Sequence, residues 1–120
     1  MPAQRCSLYV FTTHSENRIL AKVGISREPL QRLAAVQTGC PLTISGAYVA
    51  ELPSRAAAFA AEATANALLR DFRKNGEWFS FHLKTVERLF SSVEEALAEH
   101  GEYELERVEI PSKMSRASFG

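Results

Sequence analysis

Apolar and polar positions along this chain fall into short runs with clear punctuation between them. Leu8-Tyr9-Val10-Phe11-Thr12 is aromatic and β-branched, the composition that packs on a pleated surface, and predicts a strand. The polar stretch His14–Arg18 reads as a turn, and Ile19–Ile25 returns as a second strand, so the two make an antiparallel hairpin. That connection is longer than the tightest hairpin loops, which leaves the register open. Ser26 is placed to cap a following helix, with Pro29 in its first turn, where a missing N–H costs nothing. Leu30, Leu33 and Val36 recur every third residue and give that short helix a buried side; Gly39-Cys40-Pro41 ends it. Leu42–Glu51, with Ile44, Tyr48 and Val49, reads as a third strand.

The clearest helix follows. Ser54 caps an alanine-rich run from Arg55 to Phe72 with no breaker inside it. Its apolar stripe is Ala58, Ala61, Ala65, Leu68, Leu69 and Phe72, and the small side chains predict close packing on the sheet. Asn75-Gly76 stops the helix, and Trp78-Phe79 then close the core. Thr85–His100 is helical too, with Val86, Phe90, Val93 and Leu97 on one face. Ser91 and Ser92 each precede a glutamate by three residues, so a capping box leaves one kinked helix and two short ones both open. Gly101 ends this element, Glu102–Ile110 alternates as a strand, and 111–120 reads as a flexible tail. The pattern predicts an α/β (α+β) fold: a small three-stranded antiparallel sheet flanked by helices, with a C-terminal helix and an extra strand.

Composition narrows the function classes. At 120 residues and 46% apolar content the chain supports one hydrophobic core and not two. No uncharged apolar stretch reaches 18 residues, so no membrane partner is expected. The opening residues lack the apolar run and cleavage site of an export signal, and Cys6 and Cys40 are too few for a disulfide framework or a zinc site. A cytoplasmic protein with two reduced thiols is the expectation. The formal net charge is zero, which argues against holding nucleic acid by bulk electrostatics. The charge is unevenly spread, however: residues 1–82 carry nine Lys/Arg against six Asp/Glu, and residues 83–120 five against eight.

Several placements go beyond a small α/β domain. Glu62 sits within the apolar side of the long helix, four residues after Ala58 and three before Ala65. A carboxylate losing hydration there is paired, binds a cation, or lies at the watered edge of the stripe. Asn66 lies one turn further on the same face. Arg32, on the helix that follows the second strand, is set to project over the open end of the hairpin, where a guanidinium grips a phosphate bidentately. Tyr9 stands mid-strand, Lys22 is a polar position beside Val23, and Gly24 marks a place of close approach.

Together these residues resemble the GIY-YIG endonuclease superfamily. Within it, they resemble a small phage and bacterial subfamily related to the meiotically up-regulated yeast gene product. Ser7-Leu8-Tyr9 stands for the first motif and Lys22-Val23-Gly24 for the second. Arg32 stands for the family arginine, Glu62 for its metal-binding glutamate, and Gly76-Glu77-Trp78-Phe79 for the closing subfamily motif. Val23-Gly24-Ile25-Ser26, Gln31-Arg32-Leu33 and Gln37-Thr38-Gly39-Cys40-Pro41 read like subfamily sequence as well. The resemblance implies a domain over residues 7–82, with 83–110 as an extension completing the core. It further implies a metal-dependent DNA endonuclease: Glu62 holds one Mg²⁺ or Mn²⁺, weakly without substrate, Arg32 stabilises the phosphate, and Tyr9 orients or activates water. Lys22 would contact the phosphate or supply a cation, with Gly24 and Asn66 in support. Four departures stand out: Ser7 for glycine, Lys22 for tyrosine, Asn66 where the subfamily commonly has histidine, and no clear counterpart of the asparagine that many nucleases of the superfamily carry near the end of the domain. The alternative is a non-catalytic nucleic-acid-binding or protein-interaction module on the same fold. The acidic C-terminal region suits a homodimer or partner contact better than a grip on DNA.

Overall fold

Cys6–Ser15 forms β1, and its residues from Cys6 to Thr13 are buried without alternation, because this strand lies at the centre of a sheet covered on both faces. Arg18–Ser26 forms β2, paired antiparallel with β1 from Ser15↔Arg18 to Ser7↔Ser26. The computed structural model describes residues 4–74 and 76–111. Only Glu16 and Asn17 separate β1 from β2, so the hairpin uses the shortest common loop and not the longer one expected. Glu16 makes this possible by taking a left-handed φ of 57°.

Pro29–Thr38 forms α1, with Pro29 in the first turn as expected. Ser26 is not its cap: Glu28 occupies that position without a side-chain bond, and the Ser26 hydroxyl accepts from the Glu28 N–H just outside the helix. Leu33 is buried whereas Leu30 is exposed, so the inward face is narrower than its spacing implied. The third strand, β3, is Gly46–Leu52 and starts four residues later than expected. Residues 42–45 run as a loop whose Ile44 still enters the core, because the buried Gln37 fixes the loop backbone. Its amide donates to the Leu42 carbonyl at 3.0 Å and accepts from the Ile44 N–H at 2.7 Å.

Arg55–Leu68 forms α2, capped by Ser54, whose hydroxyl accepts from the Ala57 N–H. The helix ends at Leu68, which is exposed; Leu69 is fully buried and Arg70–Phe72 continues as a 3₁₀ turn. Trp78–His82 is a strand, β4, paired with β2 from Arg18↔His82 to Lys22↔Trp78. Of the two residues expected to close the core, Phe79 does so, while Trp78 stays half-exposed on the other face. Gly76, with φ of 58°, turns the chain into this strand. Glu87–His100 forms α3 as one helix, so neither Ser91 nor Ser92 interrupts it. The expected strand over Glu102–Ile110 shrinks to Glu106–Arg107, β5, on the edge of β3.

Among the described residues the sheet is therefore five-stranded, in the order β4-β2-β1-β3-β5, and not three-stranded. One face carries Leu8, Val10, Ala21, Val23, Phe79 and Phe81 and receives α2 and α3. Ala58, Ala61 and Ala65, fully buried, let α2 lie close to the strands. Leu89, Val93, Ala96 and Leu97 of α3 complete this layer, and Phe90 meets Tyr48 edge-on at 4.8 Å. The opposite face carries Tyr9, Phe11 and Ala47 and receives Leu33 of α1 together with Ile44. Except for Pro111, the tail expected over 111–120 lies outside the described residues. Among the described residues no helix is long and apolar enough to cross a membrane.

Candidate active site

The unequal lengths of β2 and β4 create the site. Strand β4 pairs with β2 only as far as Lys22↔Trp78, so among the described residues Val23–Ser26 has no strand beside it on that edge. At this gap the two faces of the sheet meet. Tyr9, Lys22 and Gly24 come to it from the α1 side, and Glu62 and Arg55 come from α2 on the opposite side. An open cleft of about 580 Å³ results, lined by these five residues with Arg32, Arg27, Glu77, Val23, Ile25 and Ser26.

The strand register sets the first group. Tyr9 pairs with Gly24 across β1 and β2, and Phe11 pairs with Lys22, so all four point to one face. Tyr9 stacks on Phe11 at 4.2 Å between ring centroids, which fixes the phenol ring over Gly24. A methyl group on Gly24 would run into the Tyr9 hydroxyl and ring, so any side chain here would force Tyr9 to move. Arg32 sits on the exposed side of α1, and its Nε donates to the Tyr9 hydroxyl at 3.4 Å, a long and easily exchanged bond. The guanidinium thus stands beside Tyr9 and lines the cleft.

Lys22 is buried to 8% exposure of its side chain and forms an ion pair with Glu77, which is 74% exposed. Its stem lies by Trp78, with the ammonium 5.9 Å from the indole centroid. The hydrogen bond and charge of Lys22 hold the Glu77 carboxyl below the usual carboxylate range, and Arg32 and Arg73 add to this. Glu62 behaves in the opposite sense. Burial pushes its carboxyl up, the negative charge of Glu77 pushes it further, and Arg55 and Lys22 only partly oppose them. Among the described residues Glu62 takes part in neither ion pair.

Tyr9, Lys22, Gly24, Arg32 and Glu62 are thus brought to one cleft, while Asn66 is half-buried one turn along α2 and does not line it. Sequence reasoning missed Arg27, Arg55 and the role of Glu77. Glu77 was legible only as part of a motif, and Arg55 only as a residue two turns before Glu62 on α2. Counting these, the cleft sets four cations against two carboxylates, although the chain as a whole is neutral.

Among the described residues no three His, Cys, Asp or Glu side chains gather as a metal cage. The donor set fits a different kind of ion. Mg²⁺ and similar hard cations keep several waters and are commonly bound through one or two carboxylates plus substrate phosphate. Glu62, raised in pKa and facing an open polar cleft, is a carboxylate that gains from a nearby cation.

No curated protein and no solved structure matches the chain. The model of the T5orf172 domain matches residues 7–94, from the start of the hairpin into α3. The chain belongs to this T5orf172 domain family, which is associated with GIY-YIG-type nuclease modules.

Proposed function

We propose that this protein is a metal-dependent DNA endonuclease that hydrolyses phosphodiester bonds in the cleft at the open edge of β2. The observation that carries the reading is that Tyr9, Lys22, Arg32 and Glu62, which come from four different elements, share one solvent-open space. Within the GIY-YIG group we place the chain in the small subfamily related to the meiotically up-regulated yeast gene product, on the strength of Gly76-Glu77-Trp78-Phe79.

Glu62 would hold the divalent ion, Mg²⁺ or Mn²⁺, and among the described residues Glu77 is the other carboxylate lining the cleft. When bound, the ion supplies Lewis-acid polarisation of the phosphoryl group and neutralises charge on the leaving oxygen. The guanidinium of Arg32 has donors in a fixed fork that matches a phosphate, and it stabilises charge that builds there during hydrolysis. Tyr9, held between Phe11 and Gly24 and hydrogen-bonded to Arg32, positions the attacking water. Lys22 faces the same space from β2. A phosphate entering the cleft competes with Glu77 for its ammonium. A single metal-holding carboxylate implies weak metal affinity until substrate adds its own oxygens.

The rival reading is a nucleic-acid-binding module without cleavage, in which Lys22 and Arg32 hold phosphates and Glu62 has no metal. Incubating the protein with branched, nicked, single-stranded and duplex DNA in Mg²⁺, Mn²⁺ or EDTA separates the two. Cleavage in metal and none in EDTA supports the nuclease. Salt-sensitive binding of these DNAs with no cleavage in either metal favours the binding module.

A further inference from the structure

A second hollow lies against the cleft, and the two share a wall. It measures about 270 Å³ and is lined by Lys22, Arg32, Val36, Cys40, Pro41 and Trp78 among others. Lys22 and Arg32 border both spaces, so a phosphate held between them in the cleft stands at the mouth of this hollow. We propose that the hollow is a nucleobase subsite, which seats one unpaired base attached to the sugar next to the bound phosphate. The proposal rests on the nuclease or binding reading of the cleft and names the substrate feature that this site selects.

The walls suit a flat, weakly polar ring. Trp78 is half-exposed, and its cross-strand partner Lys22 keeps its indole on the α1 side of the sheet. The same hollow is lined by Val36, near the end of α1, and by Pro41 in the loop that follows. That loop is held by Gln37, whose side-chain amide donates to the carbonyls of Cys40 at 3.4 Å and Leu42 at 3.0 Å. The wall is therefore fixed before any ligand arrives, which reduces the ordering cost of binding. The volume lies just below the roughly 300–1,000 Å³ of drug-sized ligand sites, so it takes one ring system and not a base pair. A base stacked in a duplex has both faces covered and cannot present one to Trp78; an unpaired or extruded base can.

Trp78 is the only tryptophan in the chain, so its emission reports on the hollow directly. The test is a fluorescence titration of the full chain in EDTA, where no metal-dependent cleavage occurs, with a short single-stranded oligonucleotide and with the same oligonucleotide abasic at every sugar. The intact strand is expected to quench Trp78 and to bind on the order of tenfold to a hundredfold more tightly than the abasic one, the range that base–aromatic stacking supplies. Trp78→Ala, followed by anisotropy of a labelled strand, should bring the intact strand down to the abasic level, and Trp78→Phe should keep most of the difference. Equal affinity of native protein for the intact and abasic strands overturns the proposal, whether or not the Trp78 variants fold. Absence of cleavage in Mg²⁺ would overturn the nuclease reading alone, because this titration needs no cleavage.

Discussion

Glu62 and Glu77 line the same cleft and are displaced in opposite directions, Glu77 downward by its ion pair with Lys22 and Glu62 upward by burial and by Glu77 itself. The two carboxylates therefore divide the available positive charge unequally. Glu77 pairs with the buried Lys22, whereas Glu62 takes part in neither ion pair found among the described residues.

Replacing Glu77 with Gln removes the second cause of the upward shift at Glu62 and frees Lys22 to act on it. Both effects favour the ionised form, so the Glu62 carboxyl should titrate at lower pH in E77Q. Carboxyl-carbon NMR titration of native protein and variant checks this. An unchanged or higher midpoint for Glu62 would mean that the two groups do not share a field.

The raised carboxyl of Glu62 also has a consequence for stability. Below the unfolded-state value, about 4.3 for glutamate, the group is protonated in both states and costs nothing. As pH rises, the unfolded chain ionises first, so folding stability falls until the folded group ionises as well. Glu62→Gln lacks this loss. Its melting temperature should gain on native protein from about pH 4.3 up to the folded value and run parallel above it. Thermal melts at several pH values in EDTA test the sign; a native protein that gains on the variant with rising pH would contradict it.

Gly24→Ala drives a methyl into the Tyr9 ring, which is buried and stacked on Phe11, so any movement of it disturbs the packing on this face. The expected cost is about 1–3 kcal/mol, the usual range for overpacking, together with loss of cleavage as Tyr9 is displaced. Tyr9→Phe in the Gly24→Ala background removes the hydroxyl that clashes most and should recover part of the stability but none of the activity. Chemical denaturation and cleavage assays on both variants separate the two effects.

Glu16 holds a left-handed φ that glycine adopts freely and other residues do not. Glu16→Gly should stabilise the β1–β2 hairpin by about 0.5–1 kcal/mol without touching the cleft. Denaturant unfolding measures it, and a destabilised variant would show that the Glu16 side chain contributes more than its backbone strain costs.

The sequence shows how far pattern alone reaches. Ser54, the breaker-free alanine run and its fully buried Ala58, Ala61 and Ala65 made α2 legible, because helix caps and small-residue stripes are local signals. Strand β4 escaped because five residues, two of them phenylalanines on one face, look like core closure until a partner strand is known. The two-residue hairpin loop is not legible because Glu16 carries no turn signature, and its positive φ comes with the pairing of Ser15 to Arg18 on either side. At the candidate site, Glu62 and Arg32 stand out by their positions on their helices, and Tyr9 and Lys22 join them through a family resemblance. Arg55 and the Lys22–Glu77 pair were not, since a contact between residues 55 positions apart leaves no periodicity to read.

The most direct measurement is single-turnover cleavage of the best DNA substrate by native protein and by Glu62→Gln, both in saturating Mg²⁺ and with folding checked by circular dichroism. If Glu62 holds the ion, the variant loses several kcal/mol of transition-state stabilisation and should cut at least about a thousandfold more slowly, with DNA binding largely kept. A Glu62→Gln protein that cuts within about tenfold of native would contradict the account, because the metal would then have to sit elsewhere.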